Sequence, residues 1–158
     1  MQLPDSLINA LKRRGLDVDY VIDVLVASLS MDPSDAARAH AELALSMFNE
    51  GLGFVDRGDV VQASEKLYKA VEEAIKALAI AKNLDEAKEA MSKGRWTVSL
   101  LDKTARKLSD TAWRAWDTAY FLHVNGFHEI RIDIEDVRAR VPILQTLMND
   151  VKNVLNAL

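Results

Sequence analysis

Residues 32–82 read DPSDAARAHAELALSMFNEGLGFVDRGDVVQASEKLYKAVEEAIKALAIAK. Two helices and the turn between them are written into this stretch. Asp32-Pro33 opens the first, because aspartate caps free N–H groups and the fixed φ of proline suits the first helical position. Ala37, Ala41, Ala44, Phe48, Gly51 and Val55 then recur at helical spacing, one apolar stripe of a helix ending near Arg57. Gly58 stops it. Asp59 with Gln62 three residues later is an acid-headed variant of the capping box. The helix it starts carries the stripe Val60, Ala63, Leu67, Ala70, Ala74 and Leu78 and ends near Lys82. Small residues at Gly51, Ala63 and Ala70 let the two helices approach closely, while Phe54 and Leu67 fill the gaps around them. This is the spacing of a tetratricopeptide hairpin, but such arrays need about three or more repeats and no second copy is present. Tight helix packing accounts for it. Glu65–Lys69 and Glu72–Lys76 stand at i,i+4 and are expected as ion pairs on an outer face.

The flanks continue the helical pattern. Pro4 opens a helix that ends near Arg14 with Gly15 as its stop; Asp17 caps another that carries Val21, Ile22, Val24, Leu25 and Leu29 to about Ser30. Residues 1–30 are therefore expected as a helical hairpin outside the bundle. Downstream, Leu84 to Ser92 reads as a short helix, Gly94 as a break within a flexible Met91–Arg95 connection, and Thr97 to Leu108 as a further helix. Ser109 or Asp110 caps the next, with Trp113, Trp116 and Tyr120 on one face and Gly126 as its end. Asp133 and Asp136 mark the start of a last helix, in which Pro142 predicts a kink or break. Six glycines and three prolines in 158 residues leave little room for the turns of an all-β fold. The expectation is an all-α, single-domain chain (1–158). Its bundle is built on helices three and four, the tryptophan helix and the last helix, with residues 1–30 as an appendage.

Composition bounds the function. With 49% hydrophobic and 28% charged residues the chain is ordinary globular. No cysteine is present, which excludes disulfides, thiolate metal sites and thiol nucleophiles. Met1 to Asp5 lacks the basic start of a secretory leader. The longest stretch free of Asp, Glu, Lys and Arg, Thr118–His128, is far short of the roughly 18 residues a spanning helix needs. A cytoplasmic location with no membrane partner is expected. Net charge of −4 argues against a dedicated duplex-DNA binder. Lys93 to Lys107 is locally basic, however. Arg95, Trp96, Lys103, Arg106 and Lys107 form the candidate ligand-binding set: a base could stack on Trp96 while Lys103 and Lys107, one turn apart, meet phosphates. The bland alternative is a solvated helix face beside a core tryptophan.

The three histidines are His40, His123 and His128. His40 lies near the apolar stripe of the third helix, His123 shares a face with Trp116 and Tyr120, and His128 follows Gly126 in a loop beside Glu129. No pair has the i,i+4 spacing of a zincin motif. Histidines hydrogen-bonded to backbone are the plain reading, and His123, His128 and Glu129 the sharper one, since these groups can move protons near neutral pH. Neither a resident metal nor a cofactor is expected. No Gly-rich phosphate loop and no G-x-S-x-G occurs. Residues 3–30 look like the helices of a ribbon-helix-helix repressor, but the strand that fold requires has no room ahead of Pro4.

Several stretches resemble the archaeal PaREP family (first type), paralogous proteins of hyperthermophilic crenarchaea. They are Leu3-Pro4 with Arg14-Gly15, the block Gly58 to Lys66, Gly94-Arg95-Trp96, Tyr120 to His123, and Gly126 to Glu129. The resemblance spans about Leu3 to Pro142 and implies a small helical bundle related to HEPN domains, of up-and-down type, without supplying catalytic residues. HEPN ribonucleases use an Arg separated from a His by four to six intervening residues. Here those positions hold Trp116, Asp117 and Thr118 before His123, Phe121, Leu122 and His123 before His128, and Pro33, Ser34 and Asp35 before His40. The motif is absent; Arg114 stands further back from His123. HEPN-like bundles often pair, so a homodimer is expected, with Trp113, Trp116, Tyr120 and Phe121 as interface candidates. The leading functional expectation is a non-enzymatic interaction protein, as in a HEPN–nucleotidyltransferase-type pair. The alternatives are an RNA or nucleotide binder using Lys93–Lys107 and a divergent HEPN-type nuclease built on Arg114, His123 and His128.

Overall fold

A computed structural model describes residues 1–158. It is all-helical: α1 (Asp5–Arg13), α2 (Val18–Ser28), α3 (Pro33–Asp56), α4 (Val60–Ala81), α5 (Asp85–Lys93), α6 (Val98–Leu108), α7 (Asp110–Leu122), a π-helical turn (His123–His128) and α8 (Ile134–Ala157). No helix is long and apolar enough to cross a membrane. The caps act as their residue types dictate. The Asp32 carboxylate accepts from Ser34 N, Asp59 from Gln62 N, and Ser109 Oγ from Ala112 N. Asp133 and Asp136 complete a reciprocal capping box at the start of α8.

α3 and α4 form the tightest pair, as their small residues require. A Cβ at Gly51 would stand 2.7 Å from Leu67 Cδ2 and 2.9 Å from Leu67 Cγ, so any larger residue at that crossing would have to displace the fully buried Leu67 side chain. α7 and α8 pack on the pair, and α6 covers α4 and α7. One apolar core runs through α3, α4, α6, α7 and α8, with Leu67, Ile75, Leu101, Leu122, Leu144, Leu147 and Met148 among its fully buried members. A smaller cluster joins Val26, Ala36, Ala37, Ala79, Ile80 and Ala87 beneath α2 and α5.

Four expectations change. α4 has no outer face along its C-terminal third, since every residue from Glu73 to Ile80 is buried. Its charges find partners on other elements: the i,i+4 pairs Glu65–Lys69 and Glu72–Lys76 give way to Glu65–His123, Lys69–Asp17 and Lys76–Asp23, and only Lys76 of these lies within the buried run. Trp116 is a core residue, 2% exposed, whose Nε1 donates to Asp102 Oδ1 at 3.1 Å; of the α7 tryptophans only Trp113 is exposed. Gly126 does not end its helix. The chain winds on through the π-helical turn, and Gly126 is buried against Ser64. The break is not found at Pro142: α8 runs as one helix from Ile134 to Ala157, and Pro142 and Arg138, whose carbonyl loses its helical partner there, both face solvent.

The N-terminal helices lie outside the core. α1 has no buried residue, and α2 buries only Val26, which was not among the residues expected to face inward. Val24, Leu25 and Leu29 of the expected set are exposed. The connection after α5 is shorter than its glycine implied: α5 reaches Lys93, and Gly94 takes a left-handed φ of 73° as its C-cap.

Candidate functional site

α7 places Tyr120 and His123 one turn apart, and the π-helical turn then changes the register. In an α-helix residues five apart diverge by about 140°; the i→i+5 bonding of a π turn stacks them instead. The amide of Glu129 donates to Val124 O at 2.8 Å, closing such a ring. His128 thereby comes over His123, with the two Nε2 atoms 3.1 Å apart. On its other side His123 Nδ1 donates to Glu65 Oε2 at 2.8 Å. A carboxylate only accepts, so this bond fixes the proton on Nδ1 and leaves Nε2 facing His128.

Aromatic rings hold this row. Tyr68 of α4 stacks on His123 at 4.1 Å between centroids, and Phe127 lies parallel to it on the π turn at 6.0 Å. Tyr120 flanks both Tyr68 and His123. Gly126 seats the turn: a Cβ there would lie 1.9 Å from Ser64 Oγ and 2.6 Å from Ser64 Cβ. The chemistry available is proton transfer along Glu65–His123–His128, or ligation by two imidazole nitrogens.

The structure thus brings together His123 and His128 of the expected set. Glu129 stays exposed, and its part is taken by Glu65. Arg114 is not brought to them. It lines a surface cleft with Thr111, Pro142, Ile143 and Thr146, nine residues and half a helical rotation from His123. Glu65 lies 58 residues from His123, and no sequence spacing signals the pairing.

A second polar cluster is buried where α2, α3 and α4 meet. His40, 1% exposed, donates from Nδ1 to Glu73, and its Nε2 stands 3.6 Å from Asp23 Oδ1. Lys76 Nζ bridges Asp23 Oδ2 at 2.8 Å and Glu73 Oε1 at 3.1 Å. Burial pushes the Glu73 carboxyl up, but the His40 hydrogen bond and the Lys76 charge outweigh it and hold the group below its usual range. Burial dominates at Asp23, which Lys76 offsets only in part, so that carboxyl sits high. Burial works against the Lys76 ammonium, and Glu73 and Asp23 more than compensate. Asp23, His40 and Glu73 offer ligand atoms within 4.8 Å of one another, the set that could hold a metal ion. Lys76 already supplies the cation there. A cavity with about 20 Å³ for water centres adjoins Asp23 and His40, roughly one water's worth. The helical stripe correctly put His40 inside, and its carboxylate partner came from folding.

Three of the five basic side chains of the Lys93–Lys107 segment meet carboxylates. Lys93 meets Glu89, Arg106 meets Asp102, and Lys107 reaches Glu86, whose carboxyl is held low by its own backbone hydrogen bond with Lys107 assisting. Trp96 is half-buried against both apolar clusters, while Arg95 and Lys103 are exposed.

Outside the bundle, Leu3, Leu7, Val18, Tyr20, Val24, Leu25 and Leu29 are exposed. The arm formed by α1 and α2 overhangs an apolar cleft of about 420 Å³, bounded by Ile8, Leu11 and Val21 on its own side and by Met47 of α3.

The sequence profile of the archaeal PaREP1/PaREP8 family matches residues 39–148. The chain belongs to that family. The match takes in α4, α7, the π-helical turn and most of α3 and α8; α1 and α2 precede it. A crystal structure of a protein from Sulfolobus solfataricus is 36% identical with a TM-score of 0.66, covering 71% of this PaREP chain and 95% of its own. The solution structure of the same structural-genomics target gives 36% identity and a TM-score of 0.62, with 71% and 90% covered. No curated protein matches the chain significantly.

Proposed function

We propose that this PaREP protein is a non-enzymatic, homo-oligomeric interaction protein of the cytoplasm. It is one domain (1–158), an up-and-down bundle of HEPN-like type, with residues 1–30 as a helical hairpin that serves assembly. One observation carries this reading: the arm's apolar side chains are exposed. An amphipathic helix is stabilised chiefly by burying its apolar face, and α1 buries none of its residues within the chain. Apolar area of this kind marks an interaction surface. A second copy, docking its arm reciprocally, would cover both faces by two-fold symmetry, and a HEPN–nucleotidyltransferase-type partner would use the same surface. RNA or nucleotide binding draws less support, because three of the five basic residues between Lys93 and Lys107 already meet carboxylates. A HEPN-type nuclease reading built on Arg114 draws none from its position beside α8.

The test is light scattering on the full chain as it elutes from a sizing column. The expected species is a dimer that Leu25→Glu converts to a folded monomer with unchanged circular dichroism. A wild-type monomer at every concentration, or a dimer indifferent to Leu25→Glu, overturns the proposal.

A further inference from the structure

We propose that His123 and His128 chelate one divalent transition-metal ion through their Nε2 atoms, with Glu65 as the positioning residue behind His123. This is independent of the oligomeric reading above.

The geometry is that of two neighbouring ligands on one ion. Zinc–imidazole bonds are about 2.0–2.1 Å. Two such bonds at tetrahedral or right angles set their nitrogens roughly 2.9–3.4 Å apart, from the same bond length. The Nε2 atoms stand 3.1 Å apart. As a bare hydrogen bond that contact can use only one proton between two imidazoles, whereas an ion placed beside both nitrogens uses both lone pairs. Neutral imidazole is the metal-binding form, and the Glu65 bond to Nδ1 holds His123 in the tautomer whose Nε2 carries the lone pair. A carboxylate on the far nitrogen is also the usual support of a ligating histidine.

The support is rigid as well as correctly directed. Tyr68 stacks on His123, Phe127 lies nearly parallel to it, and the Glu65 bond holds Nδ1, so the imidazole is restrained before an ion arrives. The π-helical turn sets His128 against it, and the seating of Gly126 on Ser64 anchors that turn to α4. His128 is exposed, so an ion enters from solvent and keeps its remaining positions for water or an incoming ligand. Two imidazoles are borderline ligands. They select Cu²⁺ over Zn²⁺ and Ni²⁺, these over Mn²⁺, and exclude Mg²⁺. The i,i+5 spacing escapes any search for helical metal motifs, because residues five apart face different ways on an α-helix.

The experiment is a calorimetric Zn²⁺ titration of the full chain without a histidine tag, in a non-chelating buffer, with imidazole ¹⁵N spectra recorded in parallel. The expected result is one ion per chain with the His123 and His128 Nε2 signals displaced. His128→Ala should weaken binding at least tenfold while leaving the fold intact, since that side chain is exposed; Glu65→Gln should weaken it about 10–100-fold. Asp23→Asn tests the buried cluster and should leave the affinity unchanged. The proposal is overturned if wild type binds no tighter than His128→Ala. It is equally overturned if Asp23→Asn rather than His128→Ala removes the ion, or if the imidazole signals do not move.

Discussion

Gly126→Ala sets helix propensity against packing, and the structure says which wins. Gly126 is inside a helical segment and is not among the glycines with positive φ, so alanine meets no backbone strain there. Propensity alone predicts a gain of about 0.5–1 kcal/mol. The new Cβ, however, would stand 2.6 Å from Ser64 Cβ and 1.9 Å from Ser64 Oγ. Rotating the hydroxyl relieves the second contact but not the first, which is about 1 Å inside a normal carbon–carbon separation. The π turn must then lift from α4, and forced overpacking of this kind costs about 1–3 kcal/mol. The net expectation is a loss of about 1–2 kcal/mol, or a Tm lower by about 2–8 °C for a chain of this length. Ser64→Gly removes both opposing atoms, including a buried hydroxyl oxygen that has no hydrogen-bond partner. In that background Gly126→Ala should change from loss to gain, a coupling of about 1.5–3 kcal/mol. Urea unfolding of the four proteins, followed by the fluorescence of buried Trp116, measures it. A Gly126→Ala protein as stable as wild type, or a cycle that closes with no coupling, refutes the close approach of the π turn to α4.

Three further outcomes are expected. Burial pushes the Glu72 carboxyl from 4.5 up to about 7; the native state therefore holds a proton that the unfolded chain has released, and stability falls as pH rises from about 4.5 to 7. Glu72→Gln should flatten that slope and raise stability at pH 8 by up to roughly 3 kcal/mol, read from urea midpoints across the range. Lys76→Met leaves two buried carboxylates without their cation and should cost about 3–5 kcal/mol at neutral pH. That loss should shrink on acidification as Asp23 and Glu73 take up protons, and a pH-independent loss counts against the cluster. Asp133→Ala removes the side chain that caps Glu135 and Asp136 amides and should cost about 1 kcal/mol by thermal melting.

Local chemistry made much of the fold legible. Asp32, Asp59, Ser109 and Asp133 cap the helices at which their residue types placed them, because a cap depends only on amides two or three residues away. The stripe Ala37 to Val55 on α3 is buried throughout for the same reason: helical period alone defines the face. Gly51 against Leu67 was readable as a close crossing, since small residues on two adjacent helices have few other uses.

What failed to show in the sequence was set by neighbours distant along the chain. Lys76 reads as part of an outer helix face, paired with Glu72, until α2 and α3 enclose it, and only then do Asp23 and Glu73 become its partners. Trp116 turns inward because α6 and α4 cover it, while Leu25 stays exposed because α2 is covered only on the side of Val26. Gly126 reads as a stop, yet it marks the place where α4 lies too close for a side chain. That contact accommodates the π turn and joins two histidines that no helical spacing would pair. Caps, turns and apolar stripes follow from interactions across a few residues and belong to the sequence. Burial of charge, the partners of each histidine and the register of the π turn depend on which helices touch, and tertiary packing alone decides that.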